Sequence, residues 1–235
     1  MNISLNEIVI LVLRAKYPTI VVTPNVDHLV RASQDSDIAR LYLNADLCIN
    51  DSRVLSRLIS LFLDKKLTSV TGSDLTQHLL AHAALIDKTI AIVGGDTSQI
   101  TKLELANPKK TAIKHFNPPM QFLSDAQAVQ QIQDFLIAAE ADFIFLAVGS
   151  PQQEKLAHLI KPNLNKGVIL CVGASIDYLT GKERRASLWV QQIRMEWFFR
   201  FLQAPQKRFR RYFVNCPQIF YLLWQERQKL KQSHL

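Results

Sequence analysis

Short runs of consecutive apolar residues alternate along this chain with stretches in which apolar positions recur every three or four residues. TIVV at 19–22, IAIV at 90–93, FIFLAV at 143–148 and VILCV at 168–172 are continuous apolar runs. That is the pattern of strands covered on both faces of a sheet. Strands are expected at 19–23, 46–50, 68–71, 89–93, 111–116, 143–148 and 168–172. Helical spacing occupies 26–33, 54–63, 75–86 and 126–139. The first 18 residues read as an amphipathic helix that ends near Pro18, since they have no basic leader and no small-residue cleavage site. Regular alternation of strand and helix predicts an α/β fold, a Rossmann-like and mainly parallel sheet flanked by helices. No repeat of fixed period is visible.

Beyond Gly181 the pattern changes. Residues 188–202 and 208–230 have helical spacing. In the second stretch Phe209, Tyr212, Phe213, Cys216, Phe220, Leu223 and Trp224 step by three and four, so one apolar face is expected. Pro217 should kink or break that helix. Charge follows the same division. The 235 residues carry a formal net charge of +8, yet residues 182–235 hold 12 Lys and Arg against 3 Asp and Glu, while residues 1–181 are almost neutral. The same last 54 residues contain all three tryptophans and 11 of the 20 aromatic residues. The expected organisation is an α/β body, 1–181, and a basic, aromatic helical appendage, 182–235. No apolar run approaches the ~18–20 residues of a membrane span. Cys48, Cys171 and Cys216 are scattered among apolar residues, which fits reduced thiols in a cytoplasm better than a disulfide frame or a zinc site.

In open α/β sheets ligands lie beyond the carboxyl ends of the strands. Small, polar and acidic residues recur there. They are Thr23-Pro24-Asn25, Asn50-Asp51-Ser52-Arg53, Gly72-Ser73-Asp74, Gly94-Gly95-Asp96, Gly149 through Glu154, and Gly173 through Asp177. One rim of the sheet is therefore chemically equipped. Each group also has a purely structural reading. Asp51 could cap the helix that follows it. Ser150, Pro151 and Gln153 fit a capping box, although the same open helix N-terminus could cradle a diphosphate. Gly94-Gly95 could be only a turn, and Thr23 and Asn25 could be turn residues around Pro24. Asp35-Ser36-Asp37 has the Asp-x-Asp spelling of a metal site but sits in a polar break between helices, where capping is expected. His78 and His82 are four apart on a helix but lack a third ligand nearby. G-x-G-x-x-G, P-loop and G-x-S-x-G motifs are absent, against dinucleotide redox enzymes, P-loop NTPases and α/β-hydrolases. The basic section itself admits three readings: nucleic-acid binding, contact with an anionic membrane surface, or a packed subdomain with a solvated cationic face.

Taken together and in order, these residues resemble the bacterial WecG/TagA/CpsF glycosyltransferases (family 26), over about residues 18–220. The resemblance rests on four stretches. They are Thr23-Pro24-Asn25 through Val30; Ala45-Asp46-Leu47 through Asp51; Gly149-Ser150-Pro151-Gln152-Gln153-Glu154; and Gly173 through Asp177, continuing with Gly181, Arg185-Ala186, Glu196-Trp197-Phe198-Phe199-Arg200, Pro205, Arg208 and Arg211-Tyr212. Ser52, Arg53 and Ala174 depart from the family pattern, the first and last standing where glycine is usual.

The resemblance implies an inverting transferase that needs no metal or other cofactor. It would move an N-acetylmannosamine-type sugar or a related hexose from a UDP-sugar to a polyprenyl-diphosphate-linked saccharide in surface polysaccharide synthesis. It implies a cytoplasmic protein peripherally bound to the inner membrane face as a homo-oligomer, with no nucleic-acid partner. By the same resemblance Asp51 is the general base, and Thr23, Asn25 and Gln153 share its pocket. Gly94, Gly95, Gly149 and Asp177 would face the nucleotide. Arg200, Arg208, and Arg210 or Arg211 would close over the diphosphate. A non-catalytic nucleotide-sugar-binding membrane partner is the alternative, and an RNA-binding α/β protein a more distant one.

Overall fold

Two-residue alternation along each strand decides how the sheet is covered. In the computed structural model, which describes residues 3–81, 87–105, 111–184, 186–193 and 195–232, six parallel strands form one sheet in the order β2-β1-β6-β5-β3-β4. They are β1 (Thr19–Val22), β2 (Leu47–Cys48), β3 (Thr89–Val93), β4 (Ala112–Phe116), β5 (Phe143–Leu146) and β6 (Val168–Cys171). Val21, Ile90, Ile92, Phe143, Phe145, Val168 and Leu170 point to one face. There they meet α1 (Leu5–Leu13), α5 (Gly72–Ala81), α6 (Thr97–Leu105) and α9 (Ser175–Leu179). Their neighbours Ile20, Val22, Ala91, Val93, Ile144, Leu146, Ile169 and Cys171 point to the other face, against α3 (Ser36–Leu43), α7 (Ala126–Ala139) and α8 (Gln152–Ile160). The continuous apolar runs are thus strands buried on both sides, as their composition predicts. A helix forms at the N-terminus as expected, but it ends at Leu13 with Arg14 as its C-cap, short of Pro18. Ser4 and Glu7 form a reciprocal capping box at its start.

Two expected strands are reduced. Asp46, expected to open β2, turns its carboxylate to the Ile20 N–H (2.6 Å) and to Lys161, so the ladder starts only at Leu47. The expected strand at 68–71 is absent. Asn50 ties that extended segment instead, since its carbonyl accepts from Val70 N–H (3.0 Å) and its side chain donates to the Thr68 carbonyl (3.3 Å). The next helix, expected from residue 75, begins at Gly72 because Thr71 and Asp74 bond reciprocally at its start. The rest of that expected helix, including His82, lies outside the described residues, as does Arg185.

Residues 188–202, expected as one helix, form two: α10 (Leu188–Gln192) and α11 (Glu196–Gln203). After α12 (Pro205–Phe209) comes a π-helical segment (Arg210–Asn215), and then α13 (Gln218–Gln232) starts just past Pro217, which has no N–H to continue the ladder. The π segment overturns the expectation of a single apolar face. Its hydrogen bonds span five residues, as in Cys216 N–H to Arg211 carbonyl (2.9 Å), so α-helical spacing fails across it. Leu223 is buried and Cys216 and Tyr212 face inward, whereas Phe209, Phe213, Phe220 and Trp224 are exposed. Ile219 and Leu223 join Val26 and Val30 of α2 (Val26–Gln34) and Leu55 of α4 (Arg53–Leu63) in a third apolar cluster. The C-terminal helices therefore pack on the body through α2 and α4.

At the carboxyl end of β3 the chain turns through Gly94 at φ +96°. A Cβ there would stand 2.8 Å from the Ala147 carbonyl group, whereas at Gly149 (φ +81°) nothing lies within 4 Å. Gly149→Ala carries only the backbone cost, about 1–2 kcal/mol, while Gly94→Ala adds a backbone clash and costs several kcal/mol. Thermal unfolding of the two variants will show the larger loss for Gly94→Ala.

Candidate active site

The ends of β1 and β2 and the segment after residue 68 open into a cavity of about 330 Å³ that the C-terminal helices close from the other side. Asn25, Asp27, Asp51, Ser52, Arg53, Thr71 and Ser73 come from the strand ends. Glu196, Trp197, Arg200, Arg211, Tyr212 and Phe220 come from the C-terminal section, and Tyr178 from α9.

Asp51 is held by a local choice of caps. Ser52, not Asp51, caps α4, its hydroxyl accepting from Leu55 N–H (3.1 Å). That leaves the Asp51 carboxylate free of the helix it precedes. It accepts instead from Gly72 N–H (3.2 Å), while its own N–H donates to the Pro24 carbonyl (2.9 Å). A side chain at residue 72 would meet the Thr23 hydroxyl at 3.1 Å and Ser175 Oγ at 3.5 Å, which explains the glycine. Although it faces the cavity, the Asp51 carboxyl is walled by protein, and this desolvation raises its pKa to about 7. The Arg200 guanidinium and the Gly72 N–H oppose the shift, and the charges of Glu196 and Asp74 add to it. A carboxyl group poised near neutrality beside a guanidinium can take a proton from a neutral hydroxyl.

Arg200 lies over the Tyr178 ring, 5.4 Å from its centroid. Burial raises the Tyr178 hydroxyl to about 12. Arg208 does not line the cavity. It pairs with Glu183 and donates to the Arg200 carbonyl, so it braces the helix that carries Arg200. Arg211 donates to Asn25 Oδ1 (3.2 Å), the same atom that caps α2. Arg210 is exposed, so of the two adjacent arginines it is Arg211 that reaches the cavity. Three residues of the wall keep a buried polar atom with no hydrogen-bond partner: the Tyr178 hydroxyl, Arg200 Nε and Arg211 Nε. Such atoms leave unused hydrogen-bonding capacity in the cavity wall.

The family model of the glycosyl transferase WecG/TagA/CpsF family matches residues 1–233. The chain belongs to this family. It is also similar to the N-acetylglucosaminyldiphosphoundecaprenol N-acetyl-beta-D-mannosaminyltransferase of Bacillus subtilis (strain 168). The two are 23% identical over 192 residues, 81% of this chain and 73% of that protein.

Within this glycosyltransferase fold the expected site residues fall into three places. Asn25, Asp51, Arg200 and Arg211 meet at the cavity. Thr23 and Gln153 stand behind it as struts. Thr23 donates to the Cys171 carbonyl (3.2 Å), and buried Gln153 accepts from Gly173 N–H (2.9 Å) and donates to Glu154 (2.9 Å). The expected capping box at Ser150 and Gln153 is not formed. The helix starts at Gln152 without a side-chain cap, because Ser150 instead bonds Arg31 and Tyr42. Gly94, Gly95, Gly149 and Asp177 lie farther along the rim. There β3 and β5 are neighbours whose outgoing connections run in opposite directions, the crevice where such sheets bind ligands. Asp177 accepts from Gln99 Nε2 (2.7 Å) and lies 3.7 Å from Lys182. Asp35 caps α3, as its position in a polar break predicts. Among the described residues no group of three or more His, Cys, Asp or Glu side chains could hold a metal ion.

Sequence reasoning missed Asp27, Tyr178, Glu196 and Tyr212 as parts of the wall. Glu196 and Arg200 are one helical turn apart on α11, and that spacing was the available signal.

The raised pKa has a consequence for stability. The folded protein keeps the Asp51 proton up to about pH 7, whereas an unfolded aspartate, at 3.8, loses it earlier. Stability therefore falls as pH rises between these values. Asp51→Asn should stabilise the fold by about 2 kcal/mol at pH 8, allowing for solvent in the cavity, and by much less at pH 4. Denaturant melts at the two pH values measure the difference.

Proposed function

We propose that this glycosyltransferase moves a sugar of the N-acetylmannosamine type, or a related hexose, from a UDP-sugar to a polyprenyl-diphosphate-linked acceptor, with inversion and without a divalent ion. The observation that carries the reading is the Asp51 carboxyl, with its raised pKa, in one cavity with Arg200 and Arg211. The named activity of the Bacillus subtilis relative supports the choice of substrates.

In the proposed step the ionised Asp51 takes the proton of the acceptor hydroxyl as that oxygen bonds to the anomeric carbon. The bond from this carbon to the UDP oxygen breaks on the opposite face, and the electron pair leaves with the diphosphate. Arg200 and Arg211 meet the charge that develops there, the task a metal ion performs elsewhere. The uncapped N-terminus of α8 beyond Gly149 offers further N–H groups to the diphosphate. Gly94 and Gly95 let the chain pass close to the nucleotide, and Asp177 faces its ribose or base. Arg208 contributes by bracing Arg200, Thr23 by packing under Gly72, and Gln153 by holding the Gly173 turn.

The expected mark of this mechanism is a kcat/KM that climbs with pH up to about 7 and then levels, because the base must be ionised. Asp51→Asn should remove ~10³-fold or more of the transfer from UDP-N-acetylmannosamine while leaving UDP binding, read by thermal shift in EDTA, intact. Unchanged turnover in that variant, or an absolute need for manganese, would overturn the reading.

Among the described residues no helix is long and apolar enough to cross a membrane. The exposed Phe209, Phe213, Phe220, Tyr221 and Trp224 nevertheless share the C-terminal section with Arg210 and the basic end of α13. We assign this surface to the inner membrane face, where a lipid-linked acceptor resides. Replacing Phe209, Phe213 and Trp224 by serine should lower co-sedimentation with anionic phosphatidylglycerol vesicles about tenfold or more. Turnover on a short-chain, water-soluble acceptor should be kept.

A further inference from the structure

Asp27 is buried in the first turn of α2, and a single oxygen of its carboxylate, Oδ2, faces two guanidinium groups. Arg31 Nη2, one turn along the same helix, lies at 3.2 Å, and Arg211 Nε, from the π-helical segment, lies at 3.5 Å. The other contacts of Arg31 lead away from the C-terminal section. They go to the Ser150 carbonyl and hydroxyl (both 3.3 Å), in the turn between Gly149 and α8, and Ser150 Oγ in turn meets the Tyr42 hydroxyl at 3.2 Å. One carboxylate thus joins the Gly149 turn to the C-terminal arginine.

The need for it is electrostatic. His28, one residue on, is pushed well below its usual pKa by burial and by the charges of Arg211, Arg31 and Arg200 together. It therefore stays neutral, and its Nδ1 accepts from the Asn25 N–H (3.3 Å). Three guanidinium groups crowd one small region and repel each other, and Asp27 is the acidic side chain that touches two of them. Its hold on Arg211 is an ion pair without a hydrogen bond, since Arg211 Nε has no hydrogen-bond partner. The guanidinium is aimed by the Asp27 charge, while its Nη2 donates to Asn25 Oδ1 (3.2 Å) at the cavity.

We infer that Asp27 is a positioning residue. It fixes Arg211 over the cavity and couples that placement to the Gly149 turn through Arg31 and Ser150. This inference rests on the proposed transfer reaction, in which Arg211 meets the leaving diphosphate. The plainer alternative is a favourable acidic residue at a helix N-terminus, which would act on stability alone.

A double-mutant cycle separates the two. It uses transfer from UDP-N-acetylmannosamine to a short-chain lipid-diphosphate-linked N-acetylglucosamine, with trypsin cleavage of the C-terminal section as a second readout. Asp27→Asn should lower kcat about tenfold or more, with KM for the donor within about twofold. Asp27→Glu should recover most of the loss. In an Arg211→Ala background Asp27→Asn should cost less than about twofold further, because the group to be aimed is gone. Asp27→Asn should also speed trypsin cleavage within residues 184–211. If Asp27→Asn does not fold, Asp27→Glu paired with Arg211→Gln tests the same contact. Fully additive losses, or a fall in melting temperature with kcat and cleavage unchanged, would overturn the inference. If the wild-type protein turned over no donor, the proposed reaction would fail, and trypsin protection would still decide whether Asp27 holds the C-terminal section.

Discussion

Burial of Ile219 and Leu223 between α2 and α4 is the contact on which the site depends. Without it the strand ends would present Asn25, Asp27 and Asp51 to open solvent, and the arginines of the last third of the chain would have no fixed place. With it, α13 anchors the segment that precedes it, and Arg200 and Arg211 come to the same cavity as Asp51. The apolar contact sets where the charges meet. The exclusion of water that follows from closure is what lifts Asp51 toward neutrality. Packing, geometry and proton affinity are here one arrangement seen at three scales.

Much of the sheet was legible because its strands are buried on both faces. Runs such as FIFL and VILC leave little ambiguity when they recur between helical stretches. The failures were at positions where a side chain replaced a ladder bond. The Asp46 side chain supplies the acceptor for Ile20, and the Asn50 side chain donates to the Thr68 carbonyl beside a single main-chain bond from Val70. Hydrophobic patterning does not register such substitutions. It is equally blind to a change in helical pitch, and the π segment divided an apolar face that looks continuous at α-helical spacing.

The site was legible in its parts but not in its division of labour. Residues quoted from strand ends did converge, yet Thr23, Gln153 and Arg208 stand one layer behind the cavity, each holding a group that lines it or its rim. A motif records that a residue type is required at a position and is silent on whether it faces ligand or neighbour. Ser52, a departure from the family pattern, takes the capping role that Asp51 could have filled, and so leaves the carboxylate available. Asp27 and Glu196 escaped notice because their roles come from interactions between segments about 145 residues or more apart in the chain.

The pairing of β1 with β6 bears on how the molecule is made. β1 lies between β2 and β6, and its register with β6 joins Val22 to Cys171. During synthesis the first strand therefore has its principal partner only after some 150 further residues have left the ribosome. Until then an apolar strand edge stays unpaired, a state prone to association with other chains. Contacts so distant along the chain also make for slow closure of the sheet. The helices that complete the cavity follow β6 in the chain, so the centre assembles last, on a scaffold that is already shut.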